Sequence, residues 1–318
     1  EPCSHYGKTP PCADLVVRKG VRRCVCGCVD PFAKVQGRGI QKIREAGIEV
    51  TVGVLEKECL ELNKRFITYN THQRPYIILK WAQTANGFLD NEGKGMAISS
   101  SFTKMLSHKL RAENDAILVG RITDERDHSL LNVRDWSGKN PMRLVIDRHH
   151  PCFEGLDFSK GSVSVLRQIM QYLYNNKVQS LIVEGGAITH QSFLDADLWD
   201  EIRVEMATGQ FVAGGTKAPQ LPQNVRPISH EEYDGNEAYL TTNTYCSVFR
   251  SLPYTHDVLH WRVLDGFRLL VLTNFHDGCV NLATIDDRAW GIGTAQSECR
   301  HGIACLVKLQ VVEIYLSV

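Results

Sequence analysis

The chain lacks any apolar run near the roughly 18 residues that a membrane helix needs. Its longest apolar stretches, such as Tyr76-Ile77-Ile78-Leu79 and Ala116-Ile117-Leu118-Val119, have the length of buried strands. It also lacks net charge, because Lys plus Arg and Asp plus Glu each number 36. That balance argues against a broad nucleic-acid or anionic-membrane surface, and leaves room only for a local basic cluster that could hold one phosphate. No basic stretch leads into an apolar core and a cleavage site, so no signal peptide is expected and a cytoplasmic location is. The first residue is Glu1 rather than Met, which suggests a fragment. What remains is a soluble composition, 43% hydrophobic and 23% charged, over 318 residues. At about 150 residues per domain, that length predicts two domains.

Eleven cysteines is a high and odd number. In a secreted protein they would suggest disulfides, but the spacing and the missing secretory signal point elsewhere. Cys24, Cys26 and Cys28 alternate with Val25 and Gly27, so an extended strand would put them on one face, where they cannot pair with each other. They read either as small buried hydrophobes or as part of something metal-related.

Hydrophobic spacing predicts alternating strands and helices, hence an α/β fold. Over residues 1–70 it gives helices at 14–19, 39–46 and 55–64 and strands at 21–29 and 48–54. Residues 70–74 are polar, precede Pro75 and read as a linker. Strands are then expected at 76–81, 115–120, 142–147, 180–183 and 201–206, with helices at 100–112, 163–175 and from 185 to about 194. The resulting division is 1–70, 71–245 and an unassigned tail at 246–318, in which 306–318 could be a strand.

Three motifs carry chemistry. In the first, Pro2-Cys3-Ser4-His5-Tyr6-Gly7-Lys8-Thr9-Pro10-Pro11-Cys12, two cysteines sit on a turn-rich loop. A hydrolytic zinc site needs three protein ligands and an open position for water. Zinc deaminases supply the third ligand from a His-x-Glu that precedes the cysteines. None precedes these, and His230-Glu231-Glu232 lies downstream and reads as polar surface. The two cysteines are therefore either half of a zinc site or plain thiols. The second motif places Lys80 near a strand end and Arg111 and Arg134 further along. The third, Val183-Glu184-Gly185-Gly186-Ala187, joins an apolar strand to a helix, and its glycines would let backbone N–H groups approach a phosphate.

These runs, together with Asp30-Pro31, Gly37-Arg38-Gly39-Ile40, Ala46-Gly47-Ile48-Glu49-Val50, Phe193-Leu194 and Leu198-Trp199-Asp200-Glu201, resemble the bifunctional riboflavin-biosynthesis deaminase–reductase family over about residues 1–240. The resemblance implies the remnant of a cytidine-deaminase-like domain, with zinc held by Cys3 and Cys12 if a His is supplied upstream, and deaminase activity in doubt. It further implies a dihydrofolate-reductase-like domain with a mostly parallel sheet. That domain would use NADPH to reduce the ribosyl group of 5-amino-6-(5-phosphoribosylamino)uracil, a phosphorylated pyrimidine, to ribityl. By the same likeness, Lys80 and Glu184 are catalytic, and Arg111, Leu131, Arg134 and Glu184 bind substrate. Ala82, Thr123, Asp127, Gly186, Ala187, Ile188 and Thr189 would line the cofactor. Homo-oligomerisation is a further implication, and neither nucleic acid nor membrane is an expected partner.

The sequence departs from the family pattern in three places. Asn86-Gly87 stands where Asp-Gly is expected, and Asp127-His128-Ser129 where Asp-Asp-Pro is expected. Only 37 positions separate Asp147 from Glu184, so a strand and its loops are expected to be missing, leaving a gap or exposed edges in the sheet. The alternative these departures raise is a non-catalytic, decayed or misassembled relative of the enzyme. An operating reductase requires Glu184-Gly185-Gly186 and the two guanidinium groups to converge on one pocket.

Overall fold

The computed structural model describes residues 1–147, 153, 155–223 and 225–243, and the backbone of 270–274 and 280–284. The chain forms two compact units, Glu1–Leu60 with the chain from Ser251 on, and Glu61–Arg250.

The first unit runs α1 (Cys12–Lys19), β1 (Arg23–Cys26), α2 (Arg38–Glu45), β2 (Glu49–Val52), and then α3 (Glu56–Leu62), whose last residues enter the second unit. β1 and β2 are parallel, with Cys24 opposite Val50 and Cys26 opposite Val52. α1 and α2 turn Ala13, Val16, Ile40 and Ile43 onto Cys24 and Cys26, which are fully buried apolar residues. Cys28 is only half-buried and lies past the strand, which ends at Cys26 rather than Val29. There the chain turns so close to α3 that a Cβ on Gly27 would sit 2.0 Å from the Cys59 sulfur. The Glu1 carboxylate accepts the backbone N–H groups of Asp30, Gly37 and Gly39, an anion seated at the positive end of α2. The region expected as an unassigned tail contributes β10 (Leu270–Asn274) and β11 (Val280–Thr284), and β10 pairs parallel to β1. The strand expected at 306–318 lies outside the described residues.

In the second unit α4 (Lys64–His72) leads into β3 (Tyr76–Thr84), α5 (Ser101–Ala112), β4 (Ala116–Gly120), α6 (Arg121–Asp127) and β5 (Met142–Ile146). α7 (Ser162–Asn175), β6 (Ser180–Val183), α8 (Ala187–Asp195), β7 (Glu201–Ala207), β8 (Ser229–Tyr233) and β9 (Asn236–Thr242) follow. The sheet order is β5-β4-β6-β3-β7-β9-β8. The first five strands are parallel, β9 runs against them and β8 pairs antiparallel with β9, a mixed and mostly parallel sheet. β3, β4 and β6 read as near-continuous apolar runs because helices cover both faces. On one face Ile169, Leu173 and Phe193 pack on Ile77, Leu79, Leu118 and Leu181. On the other, Leu110 and Leu131 pack on Ile78, Ile117 and Ile182.

The sequence reading needs correction between α3 and β3. Residues 64–72 are helical rather than the approach to a linker, and they belong with the second unit. Lys64 reaches Glu201 at 2.9 Å, Arg65 reaches Asn114, and the Tyr69 hydroxyl reaches the Tyr174 carbonyl. The boundary therefore falls at residue 60, not 70. Among the described residues the sheet is continuous from β5 to β8, and β5 forms one of its edges. His230-Glu231-Glu232, read as polar surface, is exposed on β8, and its hairpin turns at Asp234-Gly235, where both residues take positive φ (51° and 78°).

Candidate active site

A cleft of about 1540 Å³ opens in the second unit where the parallel strands end. In open α/β sheets this end collects ligands, because strand termini and helix N-termini present free backbone groups there. Lys80 and Ala82 come from β3, Gly120 from the end of β4, and Glu184 from the turn after β6.

Arg111 on α5 and Glu184 form one wall. The guanidinium grips the carboxylate at two points, Nε to Oε1 at 3.0 Å and NH2 to Oε2 at 2.6 Å. Its remaining arm, NH1, donates to the Asn132 carbonyl at 3.2 Å. Burial alone would push the Glu184 carboxyl up, but the Arg111 hydrogen bonds and the nearby Lys80 charge hold it below its ordinary value. Glu184 is thus an ionised acceptor facing the cleft at neutral pH.

The opposite wall is the turn into α8. Gly186 has φ 64°, a left-handed value that favours glycine. A Cβ there would lie 3.0 Å from the Thr123 hydroxyl, and one on Gly120 would lie 2.6 Å from the Thr189 hydroxyl. Gly185 packs so tightly that a Cβ would meet the Cβ of Val119 at 2.5 Å. The three glycines therefore let the turn into α8 pack closely on β4 and α6, while Thr123, Thr189 and the N-terminus of α8 border the cleft, where free N–H groups suit a dinucleotide phosphate. This lining of hydroxyls and free N–H groups fits the phosphate part of a dinucleotide such as NADPH.

Every reductase-site residue expected from sequence lines this cleft except Leu131. Leu131 is buried, with φ 51°, and its side chain packs in the core against Leu110 and Ile117. Arg134 borders the cleft with 55% of its side chain exposed, and its NH1 donates to Asn132 Oδ1. Asp127 and Ile188 sit at the rim. The carboxylate, the diglycine turn and both guanidinium groups meet, but Arg111 is already committed to Glu184.

Cys3 and Cys12 lie in the first unit, their sulfurs 3.4 Å apart. Burial, followed by the side-chain hydrogen bond shared with Cys3, pushes the Cys12 thiol up to about 12. Among the described residues no group of three His, Cys, Asp or Glu side chains could hold a metal. The pair offers two ligands where zinc needs at least three, so the residues present do not fit a zinc site on their own.

The model of the RibD C-terminal domain matches residues 75–233, the stretch that builds this cleft. Riboflavin biosynthesis protein RibD of Aquifex aeolicus is 37% identical over 238 residues, covering 65% of this chain and 67% of that protein. The RibD protein of Bacillus amyloliquefaciens is 32% identical over 273 residues, covering 73% of each. The chain belongs to the RibD family. Its place is in riboflavin biosynthesis, as an enzyme family of α/β fold. The crystal structure of a diaminohydroxyphosphoribosylaminopyrimidine deaminase/5-amino-6-(5-phosphoribosylamino)uracil reductase from Thermotoga maritima superposes with TM-score 0.67 at 30% identity, over 76% of this chain and 77% of that one.

Within this RibD-family chain the structure adds residues that the motif reading passed over. His108 and Lys104 on α5 line the cleft beside Arg111, and the i, i+3 spacing of His108 and Arg111 was the available signal. Asp90 at the mouth accepts the N–H groups of Gly93 and Thr216 and the Thr216 hydroxyl, which ties two loops together. Asn86 accepts from Thr84 Oγ1 and donates to the Val212 carbonyl at 2.7 Å. That second bond needs an amide, which a carboxylate in its place could not supply. Among the described residues no helix is long and apolar enough to cross a membrane.

Proposed function

We propose that the second unit reduces the ribosyl group of 5-amino-6-(5-phosphoribosylamino)uracil to ribityl, with NADPH as hydride donor. The observation that carries this reading is the single cleft shared by the glycine–threonine groove at α8 and the Lys80–Arg111–Glu184 cluster. Bound NADPH would supply the hydride delivered to C1′. The protein's part is alignment, charge and protons. Gly186, Ala187, Ile188 and Thr189 would seat the cofactor phosphates on free N–H groups, with Thr123 and Ala82 alongside. Glu184, held ionised by Arg111, would accept sugar hydroxyls. Lys80 is the positioned donor for the proton that balances the hydride. Because three Arg111 nitrogens are occupied, the sugar phosphate falls to Arg134, whose fork is largely exposed. Deamination is not part of this reading, since Cys3 and Cys12 present only two ligands.

The test is the purified chain, residues 1–318, with NADPH and the pyrimidine substrate. Loss of NADPH absorbance coupled to ribityl product supports the reading. No turnover together with no thermal stabilisation by NADPH refutes it. Stabilisation without turnover would mark a non-catalytic relative. Self-association is read in the same preparation by sedimentation.

A further inference from the structure

His108 is buried on α5 with only 2% of its surface exposed, and the reaction proposed above gives it no task. Its Nδ1 accepts the backbone N–H of Arg134 at 3.1 Å, and its Nε2 lies 3.3 Å from Asp135 Oδ2. An Nδ1 that accepts carries no proton, so the ring is the neutral Nε2–H tautomer facing Asp135. The segment from Leu131 to Asp135 is otherwise held by the buried Leu131 side chain, by Arg111 on the Asn132 carbonyl, and by Asn140 on the Val133 N–H. The His108 bond is the attachment nearest the Arg134 guanidinium.

We propose that neutral His108 is the positioning residue for Arg134, and that protonation of its ring unlatches the arginine-bearing segment from α5. This rests on the reading of Arg134 as the phosphate-facing arginine. A protonated ring carries Nδ1–H, which would face the Arg134 N–H donor to donor, so the bond is lost rather than weakened. The charged groups facing the ring are Arg111 on its own helix, Arg134 and Asp135 on the latched segment, and Glu184 from the turn after β6. Burial first, then the two arginines, disfavour the charged ring, against the pull of Asp135 and Glu184. The latch is therefore closed at neutral pH and opens only in acid, below the ordinary histidine range.

The test uses the chain of residues 1–318 and two substitutions. Asn in His108→Asn keeps an acceptor near Nδ1 but does not titrate, and His108→Ala removes the acceptor. Amide hydrogen exchange at Arg134, corrected for intrinsic rate, is measured at pH 7.5 and 5.0, with affinity for inorganic sulfate, whose charge is constant over that range. Wild type should lose about tenfold in Arg134 protection on acidification, H108N should stay protected at both pH values, and H108A should be unprotected at both. Sulfate affinity should follow the same pattern by about five- to tenfold. Wild-type protection that ignores pH, or H108A as protected as wild type at pH 7.5, overturns the latch. If protection changes as stated while sulfate affinity does not, the latch stands and the phosphate role of Arg134 fails.

Discussion

Replacing Glu184 with Gln tests whether the cleft depends on the ion pair. Glu184 receives two charge-assisted bonds from Arg111, at 3.0 and 2.6 Å, and both side chains are about nine-tenths buried (8% and 10% exposed). Gln keeps one acceptor but leaves the guanidinium without a counter-charge. Breaking a buried pair from one side costs about 3–5 kcal/mol. One face of this pair borders the open cleft, which puts the expected loss near ~3 kcal/mol. For a domain of this size that lowers Tm by roughly 6–12 °C. The assay is thermal or urea unfolding of Glu184→Gln, Arg111→Met and the double variant. The double variant should be less damaged than the two single losses added together, with a coupling of about 2 kcal/mol or more, because removing both charges removes the stranded one. A Glu184→Gln variant within about 1 kcal/mol of wild type, or strictly additive losses, would refute the reasoning.

The remaining predictions concern other positions. Glu201 is buried, which by itself raises a carboxyl, yet Arg203 and Lys64 hold it at about 2 against an ordinary value of 4.5. Its lowered value stabilises the fold fully above pH 4.5 and is lost as pH falls toward 2, a swing of about 3 kcal/mol that Glu201→Gln should abolish in acid titrations of stability. Gly185→Ala drives a Cβ to 2.7 Å from the Val119 Cα, so β4 or the turn must shift; a loss of about 1–3 kcal/mol and weakened NADPH binding are expected, and wild-type unfolding would contradict it. Asn86→Asp restores the family's carboxylate but sets it against the Val212 carbonyl 2.7 Å away. It should destabilise by up to about 1 kcal/mol at pH 7 and recover below about pH 4, where the protonated acid can donate.

Much of the second unit was legible because its signals are local. Strand and helix periods marked β3 to β7 and α5, α7 and α8 within a few residues, and Glu184-Gly185-Gly186 announced a strand-to-helix turn on its own. The β8–β9 hairpin had a readable signal in Asp234-Gly235 but little apolar alternation, since β8 is exposed along most of its length. The core position of the Leu131 side chain was not legible, because a motif position does not say whether the backbone or the side chain faces the cleft. α4 was assigned to the wrong unit because its partners, Glu201, Asn114 and Tyr174, are far away in sequence.

The order of apolar and polar residues by itself determined the alternating α/β elements and the chemical types gathered near the strand ends. Only the tertiary structure decided which charges are spent and which are open. Arg111 and Glu184 stand 73 residues apart and meet because β4 and β6 pair side by side, and burial then makes their mutual grip preferable to solvation. Arg134, with the same side chain, is half-exposed and meets Asn132 and Asp135 of its own segment, and its aim depends on a histidine whose acceptor nitrogen no sequence pattern reveals.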